Sequence, residues 1–571
     1  MADNVADAKT AYSQQPWRKV YASDISPDFE ALPDANLGAL IRHSGQRFGD
    51  RTAFTTCLDN GLSGSLSFAE VERLSDQFAH FLLSELGLEP GDRIAIQMPN
   101  CLAYPLAAFG VLKAGLVLVN VNPLYTAPEM QQQLKDSGAR ALVLIDLFAE
   151  KLEAGLDRTD VEHVILAGVA DLFPLLSRAL IRTVLMLKRE LPAPGRPVIR
   201  FMRALELGRT HLGGALPEPD SEALAALQYT GGTTGVPKGA MLSHANLLAN
   251  LSQIQAIARP ALRDQGETVL TALPLYHIFA FSFNLLVFYM NGAHNVLCPS
   301  PRPPSKLRKA FEKYPVTKFS GVNLLFRGLL KEDWFRNHPP AIDMSIAGGT
   351  ALHEAVAEEW QQVVGSPICE GYGLSESSPV VSANQPSGEI RLGTIGLPVP
   401  GTEILILDDE GSVVPPGEEG ELAVRGPQLF SGYWQQEEET RNAIRDGWFL
   451  TGDMACMNED GFLRIVDRKK DMIDVGGFNV YPNEVEQALE RHPGIDEAAV
   501  VGHRDEEGNE CVLAFVVRND SALDEDMVRA HARDNLTGYK RPQQIVFRDE
   551  LPKTSVGKVL RKTLRDEVSS G

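Results

Sequence analysis

The sequence predicts an α/β fold in two parts: a large, multi-subdomain N-terminal domain of α/β sheets plus a β-rich subdomain, then a small α+β C-terminal domain. Three observations predict it. At 571 residues the chain is too long for one hydrophobic core. Short apolar runs of strand length alternate with amphipathic segments of helical period, the pattern of parallel strands joined through helices. At Asp467 the composition then shifts to a charged run, DRKKD, followed by about a hundred residues with an alternation of their own. The expected divisions are 1–466 for the large domain, 467–470 for a hinge and 471–571 for the small domain.

Taken in order, residues 1 to about 35 read as an extended lead-in, with Pro16, Pro27 and Pro33 discouraging helix. Ser67 is a plausible N-cap for an amphipathic helix ending near Gly87. A buried strand at Arg93, a helix over 104–114, a strand over 116–120, a helix over 128–137 and a strand over 141–145 follow. The alternation resumes with strands over 269–273, 293–298 and 344–347. Runs over 404–408, 420–424 and 462–466 sit among Gly and Pro turns and predict the β-rich subdomain. In NVYPNEVEQALE, Asn483 is the expected helix cap.

Composition narrows the function. A net charge of −21 argues against a nucleic-acid partner, because a phosphate backbone would be repelled. It does not exclude a nucleotide held by a local loop and a metal ion. Six scattered cysteines without CxxC spacing read as buried thiols in a reducing compartment, and the N-terminus lacks a signal-peptide core, which points to a cytoplasmic protein. The apolar stretch Leu273 to Tyr289 is interrupted by Pro274, His277, Ser282 and Asn284, so it reads as a buried element rather than a spanning helix. The segment from Leu172 to Lys188 sets basic residues among leucines. It reads first as a surface helix and second as a segment that lies on anionic lipid.

The stretch YTGGTTGVPKGAMLSH, Tyr229 to His244, carries the chemistry. Its glycines let backbone N–H groups converge on an anion, Thr230, Thr233 and Thr234 add hydroxyl donors, and Lys238 adds a cation. It is not a P-loop, because the Gly-Lys-Ser/Thr ending is missing. A P-loop kinase or ATPase is thereby excluded.

Together with LPLYHIFA (273–280), EGYGLSESSP (370–379), TGD (451–453), DRKKD (467–471) and PKTSVGKVLR (552–561), this stretch resembles the adenylate-forming superfamily, over nearly the whole chain. DGWFLTGDMACMNEDGFLRIVDRKK (446–470), VNVNPLYT, GVNLLF and LTGYKRP are similar to bacterial long-chain fatty-acid CoA ligases. The resemblance implies ATP-dependent activation of a fatty acid through acyl-AMP, with Mg²⁺ required and coenzyme A as co-substrate. Transfer to a carrier-protein thiol, use of medium chains, and an inactive lipid-binding scaffold are the alternatives. It further implies a mobile C-terminal domain. From the basic, leucine-rich segment Leu172 to Lys188 comes the expectation of a peripheral contact with the inner face of the cell membrane, and a homodimer is carried as a further expectation.

The resemblance also assigns residues. Lys558 corresponds to the lysine that binds the carboxylate and α-phosphate, with Ser375 donating to that phosphate and His277 orienting near the acyl carbonyl. Thr230, Gly231, Gly232, Thr233, Thr234 and Lys238 would hold the departing phosphates. Gly348, Gly349 and Thr350 would line the adenine edge, with Gly371, Tyr372 and Gly373 beside the base. Asp453 suits two ribose hydroxyls, and Arg468 supports the ribose or α-phosphate. Glu376 and Thr230 would hold Mg²⁺. Gly476 and Gly477 match the loop flanking the coenzyme A channel, although Asp474 and Gly476 depart from the common pattern. Asp467 and Lys469 fall at the hinge. Phe279, Gly321 and Val322 are candidates for the acyl pocket, with Gly321 leaving room at its mouth.

Overall fold

The computed structural model describes residues 12–230, 237–263, 266–476, 478–504, 510–554 and 557–570. Two large sheets dominate. In the first, strands run in the order Ile199–Arg200, His163–Ala167, Ala141–Ile145, Arg93–Gln97, Val117–Asn120, Leu224–Thr230 and Lys238–Ser243. All neighbours are parallel except the last pair, in which Thr230 lies opposite Lys238. Val117–Asn120 and Ala141–Ile145 are buried along their whole length. Helices cover both faces of a parallel sheet, so its strands read as continuous apolar runs.

The second sheet has a parallel centre formed by Ile368–Gly373, Met344–Ala347, Lys318–Gly321, Thr268–Thr271, His294–Leu297 and Thr52–Cys57. Both edges are antiparallel, through Ser63–Ser67 on one side and Val380–Ala383 and Leu397–Pro398 on the other. The sequence reading did not foresee these edges, because alternation of helix and strand fixes direction only where a helix makes the crossover. The helix Phe68–His80 starts at the expected Ser67, which forms a capping box with Glu70 and continues as a wider turn over Phe81–Glu85. The interrupted apolar stretch is the buried helical segment Ala280–Val287. Among the described residues no helix is long and apolar enough to cross a membrane.

The β-rich subdomain is a separate sheet of Glu403–Leu407, Glu419–Arg425, Trp448–Met457, Ile444–Arg445 and Leu463–Arg468. The lead-in is less extended than expected. Pro16–Lys19 forms a helical turn that buries Trp17 in the core of this sheet, against Gly461, where a Cβ would fall 2.6 Å from the Trp17 Cβ and collide with its backbone. After Arg468 comes the small unit, in which Ile495–Arg504, Glu510–Arg518 and Gln544–Arg548 form a sheet. The helices Pro482–Glu490 and Glu525–Asn535 pack on it through Val485, Leu489 and Val528.

Asn483 is not the cap of its helix. Tyr481 occupies that position, and the Asn483 N–H donates to the Asp467 carboxylate at 2.7 Å. Asp467 therefore does the capping from outside the helix, satisfying a donor that has no partner within it.

Candidate active site

A cavity of about 1130 Å³ opens where the C-terminal ends of the parallel strands of the two large sheets meet the small unit. Ligands in open α/β sheets gather outside the carboxyl ends of strands, where loops diverge. Here the wall takes Asn120, Thr230, Pro274, Val322, Ala347 and Tyr372, each at or just beyond the end of such a strand. The small unit closes the cavity with Lys558.

The Ile368–Gly373 strand supplies one wall. A Cβ on Gly373 would fall 1.9 Å from the Pro379 carbonyl oxygen, and one on Gly348 would meet the Gly371 carbonyl and the Phe279 ring at 3.2 Å. Glycine at both positions lets two backbones and a ring approach closely beside the cavity. Gly349 takes a positive φ of 80°. Thr350 is not among the cavity-lining residues, yet its Oγ1 is buried with no hydrogen-bond partner among the described residues.

From that same strand, Tyr372 donates its phenol proton to Asp453 at 2.5 Å, and Arg468 Nε lies 3.1 Å from the other oxygen of the same carboxylate. The strand pairing explains the encounter, since Asp453 and Arg468 are direct partners across antiparallel strands. Burial opposes the charge of Arg468, but Asp453 holds it on.

Lys558 follows Gly557, whose φ of 85° turns the loop against Val322 and Leu324. Its backbone N–H donates to Thr554 Oγ1 at 3.1 Å. Burial, and then the Arg468 guanidinium, bring the ammonium down to about 8, with Asp453 opposing. His277 faces the same space. Burial and the charge of Lys558 push it down to about 4, and its Nδ1 accepts from the Phe279 N–H at 3.4 Å. A neutral imidazole and a lysine of weakened basicity therefore share one cavity. Ser375 and Glu376 begin the short helical turn Ser375–Ser377 at the cavity edge.

Glu376 is the carboxylate best placed for a cation. Burial raises its affinity for a proton, and the Tyr433 phenol donates to its Oε1 at 2.8 Å. Tyr433 also lies under Lys238, whose Nζ is 5.3 Å from the ring centroid and is ion-paired to Glu439. Among the described residues no cluster of three or more His, Cys, Asp or Glu could hold a metal, so a cation here would lean on Glu376 and on oxygens brought by a ligand. That donor set suits Mg²⁺, which takes few protein carboxylates and shares phosphate oxygens.

Sequence reasoning missed Tyr433 and Glu439. Their only signal was an aromatic before, and an acid within, the short helix Glu437–Ala443, far along the chain. It also missed Ile254, Ile257 and Ala258, which line the apolar part of the cavity with Phe279 and Val322. The spacing of these three marks one face of the helix His244–Ala258. Gly321 does not line the cavity. The Phe326 ring stands 3.0 Å from where its Cβ would be, so the glycine makes room for a core aromatic rather than for a ligand.

Thr230 and Lys238 line the cavity, but Gly231, Gly232, Thr233 and Thr234 between them lie outside the described residues, as does Gly477. Gly476 takes a positive φ of 62° and is not among the lining residues. At the hinge, Asp467 is fully buried and bonded to Asn483, while Lys469 pairs with Asp409 at 3.0 Å and Glu421 at 3.1 Å.

Two family models match the chain: the AMP-binding enzyme over residues 41–434 and the AMP-binding enzyme C-terminal domain over 484–558. The chain belongs to the AMP-binding enzyme family. A long-chain-fatty-acid–CoA ligase of Salmonella typhimurium is 46% identical over 554 residues, 96% of this chain and 98% of the relative. The enzyme of that name from Bacillus subtilis is 37% identical over 97% of this chain and 98% of its own. Among solved structures, a benzoate CoA ligase from Burkholderia xenovorans matches with a TM-score of 0.78 at 27% identity, covering 93% of this chain and 99% of its own. The o-succinylbenzoate CoA synthetase of Bacillus subtilis with its acyl-adenylate intermediate matches with a TM-score of 0.75 at 26% identity, over 92% and 98%.

Proposed function

We propose that this chain activates long-chain fatty acids to acyl-CoA at the expense of ATP, through an enzyme-bound acyl-AMP. The observation that carries the reading is one cavity holding Lys558, His277, Tyr372 and Arg468 beside an apolar wall, with Asp453 bonded to the last two. In the first half-reaction a carboxylate oxygen of the fatty acid attacks the α-phosphorus of ATP, forming a P–O bond as the bond to pyrophosphate breaks. In the second, the thiol of coenzyme A attacks the acyl carbonyl, loses its proton and expels AMP.

The chemistry at phosphorus needs positioning and charge neutralisation more than covalent help. Lys558 supplies a cation between carboxylate and α-phosphate, held where water does not screen it. Asp453, fixed by Tyr372 and Arg468, accepts from the ribose hydroxyls. Ser375 donates to the α-phosphate, and the glycines at 348, 349, 371 and 373, with Thr350, frame the base. His277, neutral above about pH 4, orients the acyl group rather than taking its proton. The loop from Thr230 to Lys238 receives the phosphates that leave. There Lys238, parked on Glu439, is available to pair with pyrophosphate oxygens. Glu376 and Thr230 would hold Mg²⁺, which supplies neutralisation of phosphate charge.

The acyl chain lies along Ile254, Ile257, Phe279 and Val322, where each buried CH₂ contributes about 0.8 kcal/mol. For the second half, the small domain, 471–571, turns about 467–470, withdrawing Lys558 and bringing Gly476 and Gly477 to the cavity for coenzyme A. Contact with the inner face of a membrane and a homodimer belong to the same reading.

Supplying ATP, Mg²⁺ and a graded series of fatty acids, with and without coenzyme A, tests the reading. AMP, pyrophosphate and acyl-CoA should form in equal amounts, with kcat/KM rising toward long chains. Pyrophosphate release without acyl-CoA would point to a carrier-protein acceptor, and an optimum at medium chains would overturn the substrate class.

A further inference from the structure

The two helical segments that line the apolar part of the cavity also hold the backbone next to the turn that carries Ser375 and Glu376. On the helix His244–Ala258, Asn250, Gln253, Ile254 and Ile257 follow at steps of three, one and three, so they share one face. That face is divided. Ile254 and Ile257 line the cavity, whereas Asn250 and Gln253, toward the N-terminal end, are a pair of fully buried amides. Amides in such a place are costly unless their polar atoms are bonded.

Their bonds run to the chain just beyond the Ser375–Ser377 turn. Asn250 Nδ2 donates to the Val380 carbonyl at 2.8 Å and Oδ1 accepts from the Val380 N–H at 2.9 Å, so the side chain grips that residue as a neighbouring strand would. The same Nδ2 donates to Gln253 Oε1 at 2.9 Å, and Gln253 Nε2 donates in turn to the Pro400 carbonyl at 2.9 Å and to Gln428 Oε1 at 3.1 Å. From the other side Ser282, buried in the segment Ala280–Val287, donates to the Ser378 carbonyl at 2.7 Å. Its neighbour Phe283 lines the cavity. The turn is closed by the Leu374 N–H, which donates to the Pro379 carbonyl at 3.0 Å. In a close-packed interior a shift of residues 378–380 is therefore carried to Ser375 and Glu376. An acyl chain in the cavity bears on Ile254, Ile257 and Phe283, and within one turn of those residues stand the side chains that hold the groups acting at phosphorus.

We propose that Asn250 and Ser282 are positioning residues through which a filled acyl wall sets the Ser375–Glu376 turn, so that chain length is expressed in the rate at phosphorus as well as in affinity. Binding energy from a remote part of a substrate raises the rate when it is used to order the reacting groups, and these bonds are the route for it. This role rests on the acyl-AMP reading of the site and adds to it the residues that couple chain length to rate.

Single-turnover release of pyrophosphate from ATP and Mg²⁺, with a series of fatty acids from short to long, tests the role. In the wild type the maximal rate should rise with chain length while the half-saturating concentration falls. Ser282→Ala and Asn250→Ala should lower the maximal rate by about tenfold for the long chains and by a clearly smaller factor for the shortest. The half-saturating concentration should go on falling with length in both variants, because Ile254, Ile257 and Phe283 are unchanged. Ser282→Ala removes a single hydroxyl, so it decides the matter even where Asn250→Ala fails to fold. Loss by one common factor at every chain length, the mark of a purely structural role, would overturn the proposal and leave the acyl-AMP reading standing. So would a wild-type maximal rate that does not depend on chain length. Absence of pyrophosphate release from the wild type with every fatty acid would overturn the acyl-AMP reading and this role with it.

Discussion

Lys558 is asked to be a cation in a place that resists cations. Burial and the neighbouring guanidinium of Arg468 bring it to about 8, while Asp453 and then Asp471 pull the other way. On the proposed reading its charge is needed in the first half-reaction alone, and this gives a signed prediction. The free enzyme loses the ammonium as pH rises through about 8, so kcat/KM for acyl-AMP formation should fall above that pH with a single-proton slope. Two anionic substrates stabilise the ammonium, so the corresponding limb in kcat should lie at higher pH. His277 is neutral across the same range and should add no limb above about pH 5. Lys558→Ala should lower acyl-AMP formation by about a hundredfold or more while sparing thioester formation from supplied acyl-AMP. Pre-steady-state release of pyrophosphate across pH 6 to 10 would reveal both effects, and a profile flat through pH 9 would remove Lys558 from the role.

At the scale of elements, the turn from Asp467 to Asp471 shows how one short run serves two bodies. Asp467 ends the strand Leu463–Arg468 of the β-rich sheet, but its carboxylate faces forward and accepts from the N–H groups of Asn483 and Arg468, each at 2.7 Å. Arg561 lies 3.8 Å from it and 2.6 Å from Glu486. Two residues on, Lys469 reaches back to Asp409 and Glu421 on the large domain. The aspartate is anchored to the small unit and the lysine to the large one. Removing the buried acceptor orphans two donors and weakens the compensation of Arg561, so Asp467→Ala should cost about 3 kcal/mol. Asp467→Asn keeps an acceptor oxygen and should cost less. Burial raises Asp467 to about 6, so wild-type stability due to this group is lost as pH rises through 6, and the Asn variant should lack that slope. Urea unfolding at pH 5 and pH 7.5 measures both, and equal midpoints for Ala and wild type would contradict the anchoring role. Sequence alone showed the charged run and its place between two units, because composition and alternation are local signals. It could not show which body each charge grips. Asn483 was read as a cap because asparagine before a helix usually is one, whereas here a carboxylate sixteen positions earlier does that work. Gly321 failed for a related reason, since a glycine's position does not reveal whether a ligand or an aromatic ring needs its space.

At the scale of the molecule, the small unit rests on the large one largely through polar contacts. Arg327 lies 2.8 Å from Glu497 and donates to the Asp496 carbonyl, Lys331 is 2.8 Å from Asp496, and His353 is 3.1 Å from Glu490. Such a seam suits a joint that opens, because water can replace each ion pair at small net cost, which an apolar interface of equal area would not allow. The seam is also made in the arrangement that puts Lys558 into the cavity and leaves Gly476 outside it. Arg327 is its best-packed basic residue, and it touches no cavity residue in these contacts. Arg327→Ala should therefore act on the balance between arrangements rather than on the chemistry. Loss of a pair of this exposure is worth about 1 kcal/mol, which shifts the ratio of the two arrangements about fivefold and, where they are otherwise close in energy, lowers the population holding Lys558 in place by about threefold. Acyl-AMP formation should slow by that factor, thioester formation from supplied acyl-AMP should be unchanged or faster, and a fluorophore pair with one label on each unit, away from the seam, should report a longer mean separation. Equal slowing of both half-reactions, with no change in separation, would mean that Arg327 supports the fold rather than the joint.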